Sequence, residues 1–137
     1  MNPVFKKLKE SKNRCFACGE ANPHGLRLKF KYDAAKLRAT TQLRLSSRYQ
    51  GATGFAHGGI IATLLDEAMA KANGMGGIRA VTVRMNVAYR KMVPVQKALL
   101  LTGWRKMKRG RKLYLHSELH DASGNLLAEA SGLFIQV

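Results

Sequence analysis

Acidic residues are scarce in this 137-residue chain: Asp and Glu number 8 against 24 Lys and Arg, a formal charge of +16. Only two cysteines are present. One cysteine pair is too few for a disulfide scaffold and favours a reducing compartment. No segment approaches the roughly 18 consecutive apolar residues of a membrane-spanning helix, and the N-terminus lacks the apolar run of a secretory signal. We therefore expect a cytoplasmic protein that does not enter a membrane.

The chain nevertheless has enough apolar material to form a core. Hydrophobic residues make up 46% of it, so the charge does not indicate disorder. The length predicts a single folded domain. We assign residues 1–24 to a basic N-terminal segment with a Cys-x-x-Cys turn and residues 25–137 to the main domain. The basic terminus is interpreted as a solvated arm or a short helix.

Two kinds of hydrophobic periodicity predict an α+β fold. Residues 26–32 and 37–45 alternate apolar and polar side chains around a turn, which predicts a β-hairpin. Residues 60–73 repeat apolar side chains on one helical face, and the glycines that follow are a helix stop. The later segments predict about four more strands in an antiparallel sheet: 79–90, 97–107, 113–120 and 126–137.

The start of the predicted helix carries the strongest chemical signal. His57, Gly58 and Gly59 lie at its first turn. Amide N–H groups there lack intrahelical partners and carry positive partial charge, and glycines allow a ligand to approach the backbone closely. This helix end is therefore a candidate site for an anion or a developing oxyanion.

Asp66 stands out on the same helix because it projects away from the apolar face and has no cation four positions before or after it. An exposed Asp without function is the alternative. Glu67, by contrast, is interpreted as paired with Lys71 one turn later. Because Asp66 lies about 13 Å along the axis from His57, we expect one chain not to bring both to one substrate. A two-fold dimer with antiparallel helices would join Asp66 of one chain to the glycines of the other.

The run His57-Gly-Gly-Ile-Ile-Ala-Thr-Leu-Leu-Asp66-Glu-Ala resembles the central helix of hotdog-fold acyl-CoA thioesterases, in the branch of the phenylacetate-degradation and mammalian thioesterase-superfamily proteins. The resemblance covers nearly the whole chain and extends to five further segments: Cys15-x-x-Cys18-Gly, Asn22-Pro-x-Gly25-Leu, Gln50-Gly51, Asn86-Val-Ala-Tyr89 and the closing strand. It implies a hotdog fold, in which a sheet wraps around one helix. It also implies a homodimer or dimer of dimers that hydrolyses a small or medium acyl-CoA at the interface, without a cofactor.

The resemblance further implies roles for the site residues. The N–H of Gly58 or Gly59 polarises the thioester carbonyl, and Asp66 of the partner acts as general base or as nucleophile. His57 orients the loop or contacts the substrate. Thr82 occupies a position where related enzymes place a Ser or Thr that positions water. Gln50 is a candidate for substrate contact, because related enzymes carry an Asn or Gln before the His.

The densest basic cluster comprises six cations within residues 105–112, around a predicted hairpin tip. The phosphates of CoA are anionic, so cations near the site are candidate contacts. A solvated tip is the alternative. Nucleic-acid binding is disfavoured because no binding motif is recognised and aromatic residues make up only 7% of the chain. The candidate substrate-binding cations are Arg90, Arg109 and Arg111. Tyr89, which precedes Arg90, is a further candidate.

Cys15, Cys18 and His24 offer three zinc ligands, whereas a closed structural site takes four. We therefore interpret the cysteines as reduced structural residues and expect no metal, with a redox pair as the other alternative. The alternative function for the whole chain is a hotdog module that binds an acyl-CoA or an acyl carrier protein without hydrolysis.

Overall fold

The computed structural model describes residues 12–137, so most of the predicted basic arm lies outside the described residues. One helix, α1 (Gly58–Gly74), lies in the described part of the chain beside a short 3-10 turn (Ser47–Tyr49). This helix is not long or apolar enough to cross a membrane. The strands are β1 (Lys31–Asp33), β2 (Arg38–Leu43), β3 (Ala80–Tyr89), β4 (Leu99–Arg109), β5 (Lys112–Asp121) and β6 (Leu126–Gln136). The α+β prediction is confirmed.

The six strands form one antiparallel sheet in the order β1-β2-β4-β5-β6-β3. Strand β3 follows the helix in sequence but lies at the far edge of the sheet, beside β6. Its outer edge has no partner strand within residues 12–137. Val81 and Val83 on this strand are 47% and 55% exposed. A ten-residue edge strand with exposed valines is the kind of edge that proteins normally cover or pair.

The helix buries its apolar face against the concave side of the sheet. Leu64, Leu65, Ala68 and Met69 are completely buried there. The backbones approach so closely that a Cβ atom on Gly103 of β4 would lie 2.3 Å from the Ala68 carbonyl oxygen. A sheet wrapped around one central helix is the hotdog architecture, as predicted.

The first predicted strand is much shorter than its sequence pattern indicated. Regular pairing is limited to Lys31–Asp33, whereas alternation predicted a strand over 26–32. Arg27 adopts a positive φ of 50°, which interrupts the extended backbone. The N–H of Leu28 then donates to the carbonyl of Ala17, 2.9 Å away, rather than to a neighbouring strand. Leu28 and Ala17 are both buried, so this segment attaches the Cys-x-x-Cys turn to the core.

Candidate functional site

The helix start presents one free amide rather than two. His57 is the N-cap of α1, and its Nδ1 accepts a hydrogen bond from the N–H of Gly59 at 2.9 Å. Gly58 occupies the first helical position, where an N–H has no intrahelical partner. Within residues 12–137, the Gly58 N–H makes no hydrogen bond to a backbone or side-chain acceptor. Of the two predicted amides, Gly58 is therefore the one available to a ligand.

Tyr89, the last residue of β3, lies against this helix start. Its hydroxyl donates to the Gly58 carbonyl at 2.8 Å. A Cβ atom on Gly58 would stand 3.6 Å from the same hydroxyl oxygen, an ordinary van der Waals distance. The structure thus brings together Tyr89 and Gly58, two residues singled out in the sequence 31 positions apart.

A cavity of about 340 Å³ lies beside Tyr89. Its apolar lining includes Phe55, Ile61 and Val93, and Arg90 contributes a cation. The Arg90 guanidinium lies 3.3 Å from the Glu129 carboxylate, so part of its charge is already balanced. The volume is at the lower end of the roughly 300–1,000 Å³ typical of ligand pockets.

Asp66 has a partner that the helix sequence did not reveal. The hydroxyl of Thr82, on β3, donates to Asp66 Oδ1 at 2.7 Å. The expectation that Asp66 is unpaired holds only within the helix, because the edge strand supplies the donor. Asp66 itself is half-buried. Thr82 and Tyr89 are seven residues apart on β3, about 23 Å, so the two pairs lie toward opposite ends of the strand.

Gln50 shapes the loop before the helix. Its side-chain carbonyl accepts from the N–H of Gly54 at 3.1 Å, and its backbone forms an isolated β-bridge with Ala56. The N–H of His57 donates to the carbonyl of Tyr49 at 2.9 Å, which closes this loop next to the helix start. The Gln50 carbonyl oxygen is therefore engaged within the protein.

Arg109 and Arg111 flank Gly110 at the tip of the β4–β5 hairpin, as predicted. The Arg111 Nε donates to the carbonyl of Gln136 at 3.0 Å. Because Gln136 pairs with Ala80, this tip lies at the end of β3 that carries Thr82. Within one chain it is remote from Tyr89.

The two cysteines meet Glu67 rather than His24. One ligand atom from each of Cys15, Cys18 and Glu67 lies within 4.8 Å of the other two. Burial, followed by the hydrogen bond to the Glu67 carboxylate, raises the pKa of Cys18 to about 11. The predicted Glu67–Lys71 pair is wrong: among the ion pairs of residues 12–137, none joins these two side chains. Sequence spacing does not reveal this cluster, because Glu67 comes 49 positions after Cys18.

Comparison with known proteins identifies the family. Residues 53–128, more than half of the chain, match the family model described as the thioesterase superfamily. The chain belongs to the thioesterase superfamily. Among curated relatives of this superfamily member, the acyl-coenzyme A thioesterase THEM4 of Mus musculus is 28% identical over 107 residues, which cover 77% of this chain and 46% of that protein. The chain thus spans about half the length of the curated relatives that it matches first.

Solved structures agree with this superfamily assignment. The crystal structure of one thioesterase superfamily protein is 28% identical, with a TM-score of 0.80 over 85% of this chain and 60% of that one. The PaaI protein of E. coli, from the phenylacetic acid degradation operon, is 16% identical with a TM-score of 0.77. That match covers 98% of this chain and 90% of PaaI and shows a shared fold. The predicted resemblance to hotdog thioesterases is confirmed.

Proposed function

We propose that this thioesterase superfamily member hydrolyses a small or medium acyl-CoA at a site shared by two chains. The hydrogen bond from Thr82 to Asp66 carries the proposal. A carboxylate fixed by a donor from another element, in a basic chain, is suited to act on a bound water. The names of the curated relatives, acyl-coenzyme A thioesterases, support the same reaction.

Asp66 acts as general base in this proposal. A water oxygen attacks the thioester carbonyl carbon while Asp66 takes the water proton. The N–H of Gly58 stabilises the negative charge on the carbonyl oxygen of the tetrahedral intermediate. The C–S bond then breaks, and the proton passes from Asp66 to the CoA sulfur, which leaves a carboxylic acid and free CoA. His57 acts indirectly. Its ring accepts a hydrogen bond from the Gly59 N–H, which leaves the Gly58 N–H as the donor for the substrate.

A dimer through β3 explains how Asp66 and Gly58 serve one substrate. They lie beside Thr82 and Tyr89, toward opposite ends of an edge strand whose outer side is unpaired within residues 12–137. Antiparallel pairing of this strand with its copy places the Thr82 end of one chain beside the Tyr89 end of the other. Because the pairing is two-fold, it creates two equivalent sites.

The same pairing gives the basic hairpin a role. Arg109 and Arg111 lie at the Thr82 end of β3, so they come next to Tyr89 and Arg90 of the partner chain. Guanidinium groups there suit the phosphates of CoA. The cavity beside Tyr89 then receives the acyl group, and its volume of about 340 Å³ favours a small or medium one.

The test is the release of CoA thiol from a panel of acyl-CoA esters by the wild type, Asp66→Asn and Asp33→Asn. The last variant makes the same change at the exposed last residue of β1 and serves as the matched control. We expect Asp66→Asn to lose at least about 100-fold in kcat, since general-base catalysis contributes roughly 10²–10⁴-fold, and Asp33→Asn to match the wild type. Wild-type binding of CoA esters without hydrolysis would instead identify a binding module. Equal rates for wild type and Asp66→Asn would reject the mechanism.

A further inference from the structure

The Cys-x-x-Cys turn holds its two sulfur atoms in a compact loop. Its backbone is closed by the N–H of Gly19, which donates to the Cys15 carbonyl at 2.8 Å. A Cβ atom on residue 19 would lie 2.3 Å from the Cys15 nitrogen, so the turn requires glycine. The N–H of Ala17 donates to Cys15 Sγ at 3.4 Å. This contact fixes the position of the Cys15 sulfur within the turn.

A carboxylate from the middle of the helix lies beside this turn. Glu67 lies next to Asp66 in sequence, but its carboxylate faces the two sulfur atoms, with all three ligand atoms within 4.8 Å. Tetrahedral zinc with Zn–S near 2.3 Å and Zn–O near 2.1 Å separates its ligand atoms by about 3.6–3.8 Å. The ligand atoms therefore need to move by only about 1 Å, through side-chain rotation, to reach zinc-binding distances.

We propose that Cys15, Cys18 and Glu67 bind a zinc ion. Two thiolates with a carboxylate are a donor set that zinc accepts and that magnesium or calcium, which take oxygen ligands, do not. A water molecule completes the tetrahedron, because Cys18 lines an open cavity of about 630 Å³. The expectation of metal-free cysteines changes here, because the structure places the Glu67 carboxylate, rather than His24, beside the two sulfur atoms.

The surroundings match the charge of such a site. Two thiolates and one carboxylate around Zn²⁺ leave a net charge of −1. The cavity beside Cys18 is lined by three lysines, Lys12, Lys29 and Lys71, against one carboxylate, Glu20, which pairs with Lys29 at 3.6 Å. The ion would tie the N-terminal turn to α1 at the residue next to Asp66. With a water as its fourth ligand the site is open rather than closed, and the ion links the turn to α1 whether or not the chain hydrolyses thioesters.

Cobalt titration of the full chain, reduced with a non-chelating phosphine and freed of metal, tests the proposal. We expect one Co²⁺ per chain, a thiolate-to-cobalt charge-transfer band, and displacement of that cobalt by Zn²⁺. Cys18→Ser should weaken the band, and Glu67→Gln should bind at least about tenfold more weakly, since even outer-shell partners contribute 10- to 100-fold. Glu20→Gln is the matched control, because Glu20 lines the same cavity with a 79% exposed side chain outside the ligand cluster.

Two results would overturn the zinc site. One is a fully reduced wild-type chain that gives no charge-transfer band with cobalt, whether or not its cysteines form a disulfide in air. The other is a folded Glu67→Gln variant that binds cobalt as tightly as the wild type. Wild-type thermal stability gives a readout that needs no variant: zinc should raise the melting temperature and a chelator should remove the increase.

Discussion

The hydroxyl of Thr82 donates a hydrogen bond to the carboxylate of Asp66 across 2.7 Å. This contact joins the edge strand β3 to the middle of the helix. It leaves the second oxygen of the carboxylate available, and it orients Asp66 toward the side of the fold where β3 has no partner strand within residues 12–137. The orientation of the proposed base therefore depends on a residue outside its own helix.

Replacement of Thr82 by Val should lower kcat for acyl-CoA hydrolysis and leave KM nearly unchanged. Val keeps the shape but removes the hydroxyl, and a hydrogen bond to a charged group contributes about 1.5–3 kcal/mol, equivalent to roughly 10- to 100-fold. Thr82→Ser keeps the hydroxyl and should remain close to the wild type. Steady-state kinetics on both variants decides the matter, and a Thr82→Val enzyme with wild-type kcat would contradict the positioning role.

A proline at position 58 would remove the amide N–H with little disturbance of the helix. Proline is favoured at the first helical position, and the extended backbone of His57 (φ −65°, ψ 139°) is compatible with a following proline. Gly58→Pro should therefore fold normally yet lose about 10²–10³-fold in kcat, the usual effect of an oxyanion donor. Gly58→Ala retains the N–H and is the matched control. Similar loss in both variants would indicate a steric effect on Tyr89 rather than loss of the donor.

The basic hairpin tip should affect substrate affinity rather than chemistry. Removing both guanidinium groups, Arg109→Ala with Arg111→Ala, should raise KM for CoA esters and leave kcat nearly unchanged. Lys31→Ala with Lys36→Ala removes the same charge near the opposite edge of the sheet and controls for net charge. Equal KM values for the two double variants would assign the arginines to a solvated tip.

The close approach of helix and sheet at Gly103 should be the most sensitive packing position. Gly103→Ala forces a Cβ atom against the Ala68 carbonyl, so the free energy of unfolding should fall by about 1–3 kcal/mol. Gly74→Ala is the control, because nothing lies within 4 Å of its Cβ position, and alanine there should be neutral or stabilising by up to about 1 kcal/mol. Urea denaturation measures both. An unchanged denaturation midpoint for Gly103→Ala would show that helix and sheet can move apart here with little loss of stability.

Local patterns predicted most of the elements. The helix face around Leu64 and Leu65, and the later strands, follow from periodicity because each periodicity repeats within one segment. The same rule overestimated the first strand, since the burial of Leu28 against Ala17 also produces an alternating pattern.

Side-chain partnerships across the fold were not predictable in the same way. The resemblance marked Thr82 and Asp66 separately, but their hydrogen bond depends on where β3 lies relative to the helix. The cluster of Glu67 with Cys18 likewise needs the N-terminal turn to reach the helix, and a neighbouring lysine one turn away suggested a simpler partner. Such contacts form only when separate segments pack together, so the spacing of residues within one segment does not predict them.

The shared site is tested most directly by mixing two inactive variants, Asp66→Asn and Gly58→Pro, after unfolding and refolding them together. If each site takes Asp66 from one chain and Gly58 from the other, a mixed dimer contains one intact site and one with both defects. Random pairing then restores about one quarter of wild-type acyl-CoA hydrolysis, from two nearly inactive parents. A mixture no more active than its parents, in refolded protein shown to be dimeric, would contradict a site built from two chains.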